Sequence, residues 1–406
     1  MITQLSEITF TASIDTATKL FTISVDNIPP HISLSFPITE APVEPQEPPE
    51  PVAKEPWYTW YYTIPLNVDA VAIKPHRFKL VIGDQSEQRL TWLQAMRDNG
   101  FEGLALRYIV VCQTQNPHGG TPLRNQWTYK PTDWAEIDAH EDMFLHSATP
   151  ISRSNRITSS PDWYYMDPKS PTWIAWVVQR VAEMLAEALQ GWEGIFLDNE
   201  EGSWWKPYNA SGQHLYGGDG RLIATSEEYV QRVLTFLAAL RAALGPDVSL
   251  WANMISMNNY GYEYERFMAL SGMMNEAGVG WFTTYLPIAQ QGWVLKQLKK
   301  CLDNGKGVVF VGQGSPTDET KAKYAWAMYM MLVPADPSTA NFTFRWANSG
   351  NYTLWTEFPW FAHTLGNPIG DYFDRTDGVD GWGRLFEHGE IRINGSTHTV
   401  EVIYND

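Results

Sequence analysis

Three carboxylates fall within four positions at the end of one apolar run, Gly194-Ile-Phe-Leu-Asp-Asn-Glu-Glu201. Asp198, Glu200 and Glu201 could serve as nucleophile, general base or proton donor, and the aromatics that follow, Trp204, Trp205 and Tyr208, are suited to stacking on a sugar ring. The run itself is too short for a helix and reads as a strand buried on both faces, as in a parallel sheet. The carboxyl end of such a strand is where α/β enzymes place their chemistry. An acidic loop that caps the next helix or binds a cation is the other reading of the same residues.

Cleavage of a glycosidic bond usually needs two carboxyl groups across it, one ionised and one protonated, so a single acidic strand end is not enough. Glu276, directly after Gly272-Met-Met-Asn, supplies the second. Glu276 is assigned as general acid, Asp198 as nucleophile or base, and Glu200 as the substitute for either. One of the pair should carry a raised pKa, because a general acid must hold its proton near the working pH.

These groups need a frame that brings strand ends together. Strands are predicted at Phe78–Gly83, Gly103–Val110, Asp142–His146, Gly194–Asp198, Val248–Asn253, Gly272–Glu276, Val308–Gly312 and Phe342–Trp346. Helix-period stretches separate them at Gln88–Asp98, Pro171–Leu189, Ser226–Leu244, Ile288–Asn304 and Glu319–Leu332, with Ser226 as the start of the third. Eight strands alternating with helices predict an α/β fold, a (β/α)8 TIM barrel over residues 57–364. Its rim would then present Arg107, His146, Asn253, Gln313 and Arg345 beside the two acids, with Trp204, Trp205, Trp251, Trp281 and Tyr285 as sugar platforms. A doubly wound sheet is the alternative, but Gly312-Gln-Gly314 lacks the rest of a phosphate-binding fingerprint.

Around the barrel lie a small N-terminal β arm (1–40), a Pro/Glu-rich linker (41–56) and a small C-terminal β appendage (365–406). Alternation of β type runs from Glu7 to Phe36, whereas the linker alternates proline with acid and favours an extended spacer. A lone short hairpin is marginal in water, so residues 1–56 are expected to dock on a surface and mediate protein assembly.

Composition narrows the partners. Aromatics make up 14% of the 406 residues and 19 are Trp, which favours ligands with flat apolar faces such as a polysaccharide or oligosaccharide. A net charge of −17 opposes nucleic acid and anionic membranes. No apolar run approaches the roughly 20 residues that span a bilayer, and the N-terminus lacks the basic and apolar regions of a signal peptide. No cofactor and no catalytic metal are expected. His146 has no metal-ligand partner at the usual spacing, and Asp371, Asp374, Asp377 and Asp380 lack the terminal glutamate of a calcium loop. Cys112 and Cys301 read as buried thiols.

Several segments resemble the bacterial glycoside-hydrolase-like barrel families related to the endo-α-1,4-polygalactosaminidase type. They are Trp163-Tyr-Tyr-Met-Asp-Pro-Lys-Ser-Pro-Thr-Trp173, Gly194-Ile-Phe-Leu-Asp-Asn199, Met273-Met-Asn-Glu276, Gly366-Asn-Pro-Ile-Gly370 and Arg384-Leu-Phe-Glu-His-Gly389. The resemblance covers roughly residues 75–395 and implies a TIM barrel acting on a polysaccharide, with Asp198 and Glu276 where that group's acidic residues lie. A carbohydrate-binding component of a larger assembly, such as a tail, fibre or surface layer, is the alternative function, since fold does not settle chemistry. An intact carboxylate pair would favour the enzyme; a separated or salt-bridged pair would favour the binder.

Overall fold

Eight short runs, most of them apolar on both faces, close into one barrel in which every neighbouring pair of strands is parallel. They are β1 (Tyr58–Trp60), β2 (Phe78–Gly83), β3 (Leu104–Val110), β4 (Gly194–Asp198), β5 (Ser249–Asn253), β6 (Gly272–Asn275), β7 (Gly307–Gly314) and β8 (Phe342–Asn348). The computed structural model describes residues 9–15, 20–26, 32–37, 58–60, 75–83, 87–116, 132–160, 162–187, 191–198, 205–254, 263–335, 342–348, 358–362 and 364–405.

Side chains alternate between the two faces of a strand. Leu106 and Tyr108 of β3, Phe196 of β4, Trp251 of β5, Met274 of β6 and Val311 of β7 fill the interior, while Ala105, Ile109, Ile195 and Leu250 face the helices. Trp251 enters the interior because Gly272 has no side chain: a Cβ there would lie 2.6 Å from the indole ring. Truncating so deeply buried a ring costs about 3–5 kcal/mol, which marks Trp251 as core.

The helices are α1 (Glu87–Asp98), α2 (Asp133–Asp138), α3 (Pro171–Glu187), α4 (Trp205–Ala210), α5 (Ser226–Leu244), α6 (Ile288–Asp303) and α7 (Glu319–Met330). Among the described residues they follow β2, β3, β4, β6 and β7. In α3 the buried Trp173, Val177, Val181 and Met184 recur at three- and four-residue spacing, an apolar stripe laid on the sheet. The N-cap of α5 is Thr225 rather than Ser226. Its side chain accepts from the Glu228 N–H, and the Glu228 carboxylate reaches back to the Ala224 N–H.

One predicted strand is not in the barrel. Asp142–His146 begins in a 3-10 turn (Glu141–Met143), and Phe144 and His146 then make single antiparallel bridges to Met166, Tyr216 and Arg156. The missing barrel strand is β1, only three residues long, whose Tyr58 pairs with Phe344 on one side and Phe78 on the other. So short a run carries no period to read.

The chain divides into two compact units, Met1–Val52 and Ala53–Asp406. In the first, Thr9–Asp15, Leu20–Asp26 and Ile32–Pro37 form an antiparallel sheet in sequence order. The proline-rich stretch 41–56 lies outside the described residues. The second unit ends in a four-stranded antiparallel sheet, Pro368–Asp374, Gly381–Phe386, Gly389–Asn394 and Thr399–Tyr404. This sheet is fastened to the end of α7 and the turn after it, where the Arg384 guanidinium donates to the carbonyls of Met330 at 3.0 Å and Val333 at 2.7 Å. Cys112 and Cys301 are buried free thiols. Among the described residues no helix is long and apolar enough to cross a membrane.

Candidate active site

Strand parity decides what reaches the C-terminal rim from inside. The positions that face inward below it, Phe196, Trp251, Met274 and Val311, fix the next inward positions as Asp198, Asn253, Glu276 and Gln313. Tyr108 of β3 shares this face, one level lower.

These side chains form one hydrogen-bonded set. Asn253 Nδ2 donates to Asp198 Oδ1 at 3.1 Å and to Glu276 Oε2 at 2.8 Å. The Tyr108 hydroxyl donates to Asp198 Oδ2, and Gln313 Nε2 donates to the Glu276 backbone carbonyl at 2.7 Å. Asn253 and Gln313 are buried, while both carboxylates are partly exposed. A carboxylate accepts only, so the Asn253 amide must turn its nitrogen to both acids. Its Oδ1 has no donor among the described residues. Placing a donor between two acids offsets their mutual repulsion. Because one nitrogen holds both oxygens, these oxygens can be no further apart than the sum of the two distances.

A model of the family described as "hypothetical glycosyl hydrolase family 15" matches residues 106–390, which contain this whole set. The chain belongs to hypothetical glycosyl hydrolase family 15. No curated protein matches the sequence. Among solved structures it is similar to the glycoside hydrolase domain of PelA from Pseudomonas aeruginosa, at 14% identity over 72% of this chain and 94% of that one, with a TM-score of 0.44. It is also similar to the GH31 dextranase FjDex31A from Flavobacterium johnsoniae in complex with glucose, at 12% identity over 76% of this chain and 38% of that one, with a TM-score of 0.48.

Within this family 15 chain, other residues expected at the rim lie elsewhere. Arg107 has the opposite parity to Tyr108 and donates to the Met184 carbonyl of α3, outside the barrel. Arg345 is fully buried inside, level with Val311 and below the rim. Trp251 is core beneath Asn253 and offers no face to a ligand. Tyr285 is occupied, its ring stacked on His398 at 3.8 Å with 9° between planes. Trp281, in the loop after Glu276, is 46% exposed and keeps an open side chain. Glu200 and Trp204 lie outside the described residues, and Trp205 opens α4. Sequence reasoning missed Tyr108. Counting inward positions back from the end of β3 is the signal that finds it.

His146 sits in the segment between β3 and β4, fully buried, with Nε2 2.8 Å from Glu141 Oε1. Arg156 donates to both oxygens of the same carboxylate, at 2.8 and 2.6 Å. Burial acts to raise the Glu141 carboxyl, but the hydrogen bonds and charges of Arg156 and His146 outweigh it and hold the group below its ordinary value of 4.5. A depressed carboxyl stabilises the fold fully above that ordinary value and loses its contribution as pH falls below it. Melting temperature should therefore drop more steeply on acidification below about pH 4.5 in the wild type than in Glu141→Gln, with the variant less stable at neutral pH. Parallel acid limbs for the two proteins would remove Glu141 from this role.

Proposed function

We propose that this chain is a (β/α)8-barrel glycoside hydrolase that cleaves a polysaccharide, with Asp198 as nucleophile and Glu276 as general acid and base. The observation that carries the reading is the single Asn253 nitrogen bound to both carboxylates. An inverting pair stands about 6.5–9.5 Å apart to admit a water, and a retaining pair about 5–5.5 Å apart. Two carboxyl oxygens bound to one nitrogen are compatible with the retaining spacing, and retention is the outcome we propose. Asp198 attacks the anomeric carbon while Glu276 gives its proton to the departing glycosidic oxygen. Glu276, now ionised, then takes a proton from water, which displaces Asp198 and restores both groups. Trp281 would hold a sugar ring by stacking.

The activity is tested by release of reducing sugar from a panel of soluble polysaccharides. α-1,4-Polygalactosamine heads the panel because of the sequence resemblance, with dextran and amylose beside it. Turnover of at least one polymer is expected, and none on a broad panel would sink the reading. Within an active enzyme, Tyr108→Phe should lower kcat by roughly tenfold to 10²-fold, the value of one hydrogen bond to a charged group. Unchanged kcat would show that Tyr108 does not support the nucleophile.

A further inference from the structure

Lys321 of α7 is 1% exposed, yet its ammonium points at a single loop. Nζ donates to the carbonyls of Trp281 at 2.7 Å, Phe282 at 3.1 Å and Thr284 at 2.8 Å. Burial pushes this ammonium down to about 8, which leaves it charged at neutral pH with three N–H groups for three acceptors. The loop is the one that begins at Glu276. Its first part is tied to β7, with the Gly278 N–H on the Val311 carbonyl at 3.0 Å and Gln313 on the Glu276 carbonyl. Its base is closed by the Leu286 N–H on the Val279 carbonyl at 2.9 Å. The chain folds back so tightly at Gly280, φ +123°, that a Cβ there would lie 2.4 Å from the Thr284 carbonyl oxygen.

The C-terminal sheet holds the same loop from another side. His398, at φ 55° in the turn between the last two strands, lies flat on Tyr285. Tyr324 of α7 meets Tyr285 edge-on at 5.5 Å. The backbone from Trp281 to Tyr285 is thus gripped from below while the Trp281 ring projects outward.

We propose that Lys321, assisted by His398, is a positioning residue that fixes the loop after Glu276 and thereby presents Trp281 to the polysaccharide. The inference rests on the hydrolase reading for its ligand, but the grip itself can be read without one. The segment that carries Glu276 has its own ties to β7, so release of Lys321 moves the platform and spares the acid.

Hydrogen exchange and steady-state kinetics test it together. In Lys321→Met, exchange at the Thr284 and Leu286 amides should speed up by about tenfold or more while the barrel strands stay protected. KM on the polysaccharide cleaved fastest in the panel should rise by roughly tenfold with kcat little changed. Trp281→Ala should raise KM alike, and the double variant should be no worse than either single one, because both act through one ring. Should Lys321→Met fail to fold, His398→Gly replaces it, since glycine accepts the positive φ and only the ring is lost. It is expected to loosen the same amides by a smaller factor. Unchanged exchange in the loop, or loosened amides with KM unmoved, overturns the proposal. If no polymer is cleaved, the hydrolase reading fails and the grip of Lys321 stands or falls on exchange alone.

Discussion

Asp198→Asn should leave a folded protein that binds sugar and no longer turns it over. The substitution keeps the shape of the side chain and its place on β4, so melting temperature should stay near that of the wild type. What disappears is the negative charge that would attack the anomeric carbon and that the Tyr108 and Asn253 donors support. Glu276→Gln removes the proposed proton donor in the same way, and a positioned acid supplies about 10²–10⁴-fold in rate. Each variant is therefore expected to lose at least that factor in kcat on the polymer the parent cleaves, with affinity measured by calorimetry within a few-fold. Wild-type turnover in both variants would contradict the assignment. Loss of turnover with a collapsed melting temperature would instead mark the acids as structural.

Asn253→Leu carries the second-largest expected effect. The amide touches both carboxylates, and it does so from a buried position on β5. A hydrogen bond to a charged group contributes about 1.5–3 kcal/mol. Losing two at once should lower kcat by roughly 10²–10⁴-fold. Leucine has a similar volume and keeps the barrel filled, so the loss should appear in kcat more than in stability. A variant with kcat within a few-fold of the wild type would show that the two acids hold their arrangement without this bridge.

The sequence makes much of this site legible because strand alternation is a strict rule. Once Gly194–Asp198 and Gly272–Asn275 are read as strands, the acids at their ends follow, as does Asn253 on the strand between them. The same rule, applied to Leu104–Val110, turns Tyr108 inward and Arg107 outward, yet a lone arginine attracts attention and a tyrosine among apolar residues does not. His146 misled for a different cause. Its short apolar neighbourhood mimics a strand, whereas its backbone is held by single bridges and its ring by Glu141. Tyr285 and Trp251 show the limit for aromatics, since composition reveals that rings are present and only packing reveals whose faces are covered. The grip of Lys321 depends on three carbonyls some forty residues earlier in the chain. No local pattern records such a contact.

Peptide mass spectrometry after exposure to an activated 5-fluoro glycoside of the released sugar tests the pairing of Asp198 with Glu276 most directly. Such a substrate traps the glycosyl group on the nucleophile of a retaining enzyme. One glycosyl group on the peptide that contains Asp198, absent from the Asp198→Asn protein, is the expected result. Labelling of any other carboxylate, Glu200 included, would contradict the assignment of Asp198 as the nucleophile and with it the role given to the Asn253 bridge.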